Sequence, residues 1–150
     1  MFALVLSVLW IVLQILACLA AAHRGGATER AAAFGSLAAW GASTLVARPD
    51  LSAPQYGTAL IDAAMLALLA WLAFRTQQRW LITAAGAQLV SLMIHLRFAL
   101  DPSAVMPATY LSALQVTYWV TLVSIAIGVF SRWAGKPSLA VEQRVLPKDL

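Results

Sequence analysis

The chain has 150 residues, of which 62% are hydrophobic and 11% charged, with a net charge of +4. Its mean hydropathy is +0.82. A soluble domain of this size is nearer half apolar and a quarter charged, so the balance excludes an ordinary globular protein and points to lipid as the solvent. The basic residues are scattered between apolar runs and form no stripe or motif, which excludes nucleic acid as the partner.

Five apolar stretches follow one another, each able or nearly able to cross a hydrocarbon core of about 30 Å. The first, residues 2–22, carries no charge. It lacks the basic segment that precedes a signal peptide's apolar core, so it reads as a first span. Cys18, the single cysteine, lies within it and reads as a small buried thiol. The sequence His23-Arg24-Gly25-Gly26 closes that helix.

The second stretch, 31–47, is short for a span, at about 17 residues. It is dominated by Ala, Gly and Ser. Gly35 and Ala39, and likewise Ala38 and Ala42, stand four apart and form small-residue ridges that let backbones approach closely. We expect this helix in the middle of the bundle. Arg48-Pro49 ends it, because a residue before proline is pushed out of helical geometry.

The third and fourth stretches, 57–74 and 80–100, are separated by a few residues and must form an antiparallel hairpin. Asp101-Pro102 closes the fourth, and Pro107 stands at the threshold of the fifth, 108–130. The tail, 131–150, contains a segment, Ser138 to Leu146, that could form a short surface helix. The expectation is an all-α integral membrane protein, one domain of about five transmembrane helices.

Charge sets its orientation. Taken on alternate sides, Arg24, Arg30, Arg75, Arg79, Arg132, Lys136, Arg144 and Lys148 share one face, leaving Arg48 and Arg97 on the other. The positive-inside rule puts the eight in the cytoplasm, with the N-terminus outside and the C-terminus inside. Trp80 and Trp133 then stand at the cytoplasmic interface, where aromatic anchors belong. The expected location is a bacterial-type inner membrane.

One polar constellation stands out. A carboxylate at the centre of a membrane helix costs about 2.5–3.5 kcal/mol on the insertion scale, so Asp62 is a functional candidate by default. It lies about 8 Å below the outer boundary on the third helix. His95 reaches a matching depth on the fourth, and Gln88, Ser91 and His95 form one stripe there. Ser112 and Gln115 occupy similar depth on the fifth. These positions predict an outward pocket of Asp62, Ser91, His95, Ser112 and Gln115. Arg97, two residues from His95, faces nearly the opposite way. It can pair with Asp101, snorkel to the interface, or reach Asp62.

The same cluster has a purely structural reading, in which hydrogen bonds across helices fix their register. There is no phosphate loop, paired-cysteine set, zinc-protease signature or nucleophile elbow. The first expectation is therefore a non-enzymatic accessory or stabilising subunit, bound to other membrane subunits or to copies of itself. A small transporter or proton-conducting protein using Asp62 and His95 is the alternative. A haem-binding or electron-transfer subunit is the second alternative, through His95 alone, since His23 falls at the other end and bis-histidine ligation within the chain is excluded. No other cofactor and no metal is predicted.

Overall fold

The computed structural model describes residues 2–48, 53–104 and 106–134. Helix is the only extended regular structure among them. In chain order the elements are α1 (Phe2–Arg24), α2 (Ala27–Val46), α3 (Tyr56–Thr76), α4 (Arg79–Leu100), a 3-10 turn at Pro102–Ala104, and α5 (Pro107–Trp133). Three of them, α3, α4 and α5, are long and apolar enough to cross a membrane. The apolar run Val8–Arg24 of α1 is shorter. The segment 138–146 lies outside the described residues.

The helix ends follow from local chemistry. Helix α2 begins at Ala27, four residues before the expected start. The reason is that Glu29 does not stay in a polar link: its carboxylate folds back and accepts the Gly26 N–H at 2.8 Å. That satisfies one of the donors every helix start leaves bare, and an acid in the first turn also suits the helix dipole. Arg30 is absorbed as well, its Nε–H donating to the Ala21 carbonyl at 3.3 Å. Helix α3 ends at Gln77, which takes φ 54° and gives its N–H to the Ala73 carbonyl at 2.8 Å. This left-handed cap reverses the chain within Gln77-Gln78 and makes α3 and α4 antiparallel neighbours. Helix α5 starts on Pro107, whose missing N–H costs nothing at that position.

Each helix packs against its sequence neighbours where they are joined by short links, and α5 closes the bundle by touching α1 and α2 as well as α4. Helix α5 carries nine buried residues and α2 only three, Glu29, Ala32 and Ala33. This corrects the expectation that α2 is central. Small side chains allow close approach without requiring it on every face. Gly35 does meet α3: a Cβ there would lie 2.6 Å from Leu68 Cδ2. Ala39 packs on the same core. Ala38 is exposed, nothing stands within 4 Å of a Cβ at Gly41, and Leu45 is 87% exposed. The ridge Gly35–Ala39 is therefore used, while Ala38 faces outward.

Replacing Gly35 with Leu is expected to push α2 off α3, at an overpacking cost of about 1–3 kcal/mol. Leu9→Phe on the outer face of α1, where Leu9 is 46% exposed, should be neutral. Equal amounts of the two variants in a membrane fraction would count against this contact.

Hydroxyls along α5 serve the backbone. Thr117, Thr121 and Ser124 donate to the carbonyls of Leu114, Thr117 and Val120 at 2.8, 3.0 and 2.7 Å. This is the usual fate of such groups inside apolar helices.

Candidate functional site

A buried polar chain joins α3, α4 and α5 near the end of the bundle that holds the 101–107 link. Asp62 sits in the second turn of α3 and is 2% exposed. Ser91 and His95, one turn apart on α4, both face it. Ser91 donates its hydroxyl to Asp62 Oδ2 at 2.5 Å, and His95 Nε2 lies 3.2 Å from the same oxygen. Tyr118, from α5, donates to that oxygen at 3.3 Å. On the far side of the imidazole, the Tyr110 hydroxyl lies 2.7 Å from His95 Nδ1. Phe98 stacks on the Tyr110 ring at 4.5 Å and covers the chain toward the helix end.

The geometry accommodates two protonation levels. With Tyr110 donating to Nδ1 and Nε2–H donating to the carboxylate, the three groups hold two labile protons and one negative charge. One added proton makes the cluster neutral overall. It can sit on Asp62, which then donates to Nε2 while Nδ1–H donates to the Tyr110 oxygen. It can equally sit on the imidazole, giving an ion pair with the same proton count. The proton moves between these two neutral forms along the single Nε2–Oδ2 contact. Separated charges would be costly in this setting, whereas a hydrogen-bonded set is tolerated.

Space adjoins the chain on both sides. A groove of about 320 Å³ between α3 and α4, lined by Gln55, Tyr56, Leu92 and Leu96 among others, reaches His95. On the other side a cavity of about 40 Å³ touches all five helices, through Trp10, Ser36, Asp62, Gln88 and Tyr118. That is room for a very few water molecules, since each occupies about 10–15 Å³ by this measure. Trp10 Nε1 and Gln88 Oε1 are buried without a hydrogen-bond partner among the described residues, and both residues line this cavity. A wider pocket of about 260 Å³ lies beyond, beside Trp40, Gln115 and Tyr118.

Sequence position and structure differ on Ser112 and Gln115, while Arg97 turns away from His95 as its spacing predicts. Ser112 is exposed and donates to the Ala108 carbonyl at 2.8 Å, so it does not line the pocket. Gln115 lines the wider pocket, which Asp62 does not border. Arg97 is exposed, and Asp62 is met by His95, Ser91 and Tyr118 instead. The tyrosines Tyr110 and Tyr118 take the places expected of Ser112 and Gln115. At about 100° per residue, Ser112 lies some 200° around α5 from Tyr110, while Tyr118, two turns on, shares Tyr110's face. That eight-residue tyrosine spacing was the available signal.

Asp62 and His95 are of the side-chain types that can ligate metals, and among the described residues no third His, Cys, Asp or Glu joins them in a group that could hold a metal ion. Comparison with known protein families, curated proteins and solved structures finds no match.

Two further buried groups tie helices together elsewhere. Gln14 and Cys18 of α1 both donate to the Ala33 carbonyl of α2 at 3.3 Å. Glu29, 2% exposed, lies 3.7 Å from Arg132 at the end of α5.

Proposed function

We propose that this chain is a five-span inner-membrane protein, N-terminus outside, that takes up and hands on protons at Asp62 and His95. The observation that carries this reading is the unbroken run Tyr110–His95–Asp62–Tyr118 across three helices, buried at its first three members, with a cavity at Asp62 and Tyr118 and a groove at His95. An imidazole between a carboxylate and a hydroxyl can accept a proton on one nitrogen and release one from the other. Intramembrane acids paired in this way commonly mark proton routes.

Five spans and the orientation are supported by helix length and charge. Helices α1 and α2 have 23 and 20 residues, enough for about 30 Å at 1.5 Å per residue. Arg24, Arg30, Arg75, Arg79 and Arg132 fall at helix ends that share one end of the bundle, as the Arg30–Ala21, Glu29–Arg132 and Trp80–Gly128 contacts require. That end is assigned to the cytoplasm.

The test is proton flux into vesicles reconstituted with the full chain and loaded with a pH-sensitive dye. Asp62→Asn is expected to abolish flux at unchanged protein content, and flux at the wild-type rate in that variant removes the reading. The second reading is an accessory subunit in which the same bonds act only as a clamp between α3, α4 and α5. Its support is that every bond to Asp62 crosses between helices, and it requires other membrane proteins to co-purify in mild detergent. Haem ligation through His95 is less well supported, because both ring nitrogens are engaged and Nε2 would have to give up Asp62.

A further inference from the structure

The face between α1 and α5 carries a groove of about 940 Å³, within the size range of small-molecule sites. Ala17, Ala20 and Ala126 line it with little bulk, and Leu16, Val123 and Phe130 also border it. Its inner limit is at Leu13 and Trp119, and its mouth is at His23, Arg24 and Trp133. From Leu13 to Arg24 is about 16 Å along the helix, half of a hydrocarbon core of about 30 Å. The groove therefore spans one leaflet, from its middle to its headgroup level.

The mouth is cationic. None of the groove's lining residues is acidic, and Arg24 is held over the Trp133 ring at 5.2 Å. The acid nearest in sequence to this mouth, Glu29, is occupied by the Gly26 N–H and Arg132. A purely apolar neighbour, such as a second helix, would leave Arg24 with no complementary charge. A lipid with a negative headgroup satisfies both parts of the surface at once. Basic pockets between membrane helices at the headgroup level bind such lipids for this reason.

We infer that the α1–α5 groove is a binding site for an anionic phospholipid, acyl chain against Leu16 and Ala126 and phosphate at Arg24. The inference rests on the bundle being embedded in the membrane and is independent of the proton chain.

The experiment is native mass spectrometry of the full chain in mild detergent, titrated with phosphatidylglycerol or with phosphatidylcholine of the same acyl chains. Phosphatidylglycerol is expected to bind more tightly by about fivefold or more, the scale of one basic residue at an anionic headgroup. Arg24→Gln should remove that preference while retaining weak binding of both lipids. Ala126→Trp should reduce binding of both by filling the groove. Equal binding of the two lipids, or a preference that survives Arg24→Gln, overturns the proposal. So does competition by inorganic phosphate alone, which would mark a free-anion site, or a dimer that occludes the groove. Asp62→Asn should leave the lipid preference intact, so the failure of one proposal is distinguishable from the failure of the other.

Discussion

An Asp62→Ala variant is expected to lose about 2–4 kcal/mol of stability, measured as the shift in reversible unfolding by SDS in mixed micelles. Three groups bond to one carboxylate oxygen, the buried Ser91 and His95 and the partly buried Tyr118. A hydrogen bond between membrane helices contributes about 0.6 kcal/mol on average, which sets a lower bound near 2 kcal/mol for three. Leaving buried donors without an acceptor raises the cost toward about 1–3 kcal/mol each. The asymmetry between breaking half a network and replacing all of it gives the sharper check. Asp62→Leu combined with Ser91→Ala, His95→Leu, Tyr110→Phe and Tyr118→Phe removes the hydrogen-bonding groups along with their acceptor and should recover much of the loss. Asp62→Asn retains an amide oxygen at the site and is expected to cost less than about 1 kcal/mol. A stable but flux-dead Asn variant therefore speaks for proton transfer, and an unstable one for the clamp. Wild-type stability in Asp62→Ala means the network does not form.

The parts of this architecture that were legible in the sequence are those set by period and charge. Helices α3, α4 and α5 announced themselves as long apolar runs between Pro, Gly and Arg, and the short link after Thr76 required a hairpin. The hairpin register alone brings Asp62 level with His95, since the two sit about six and five residues from the same bundle end, and Ser91 follows one turn further in.

What escaped was set by side chains reaching across or folding back. Glu29 and Arg30 looked like link residues because they are charged, yet one became the helix cap and the other bonded to Ala21. Composition showed that α2 could be approached closely but not on which face. Ser112 and Gln115 were chosen for depth alone, and the rotation of α5 about its own axis put Tyr110 and Tyr118 inward instead. Depth is readable from one strand of sequence; rotation needs the neighbouring helices.

The strongest packing constraint lies at the opposite end of α4. Trp80 is 8% exposed and lays its indole on Gly128 of α5, while its Nε1–H donates to Gln78 Oε1 at 2.6 Å. A Cβ at Gly128 would overlap the middle of that ring, 2.6 Å from Cδ2 and 2.8 Å from Nε1 and closer still to Cε2. A planar indole held at its Nε1 edge by Gln78 has no small adjustment available, so either α4 and α5 separate or Trp80 leaves its site. Gly128→Leu is expected to cost about 3 kcal/mol, the upper range for overpacking, even though leaving glycine gains up to about 1 kcal/mol of helix propensity. Gly41→Leu supplies the control with the same propensity gain: nothing stands within 4 Å of its Cβ, so that change should be neutral or slightly stabilising. Trp80→Ala alone should cost about 3–5 kcal/mol by leaving a cavity. The Trp80→Ala/Gly128→Leu double variant should lose at least about 1 kcal/mol less than the two single losses added, because the new leucine occupies the space the indole vacates. Additive losses would mean that the two residues do not share one site. Equal unfolding midpoints for Gly128→Leu and Gly41→Leu would show that α4 and α5 are not in contact there.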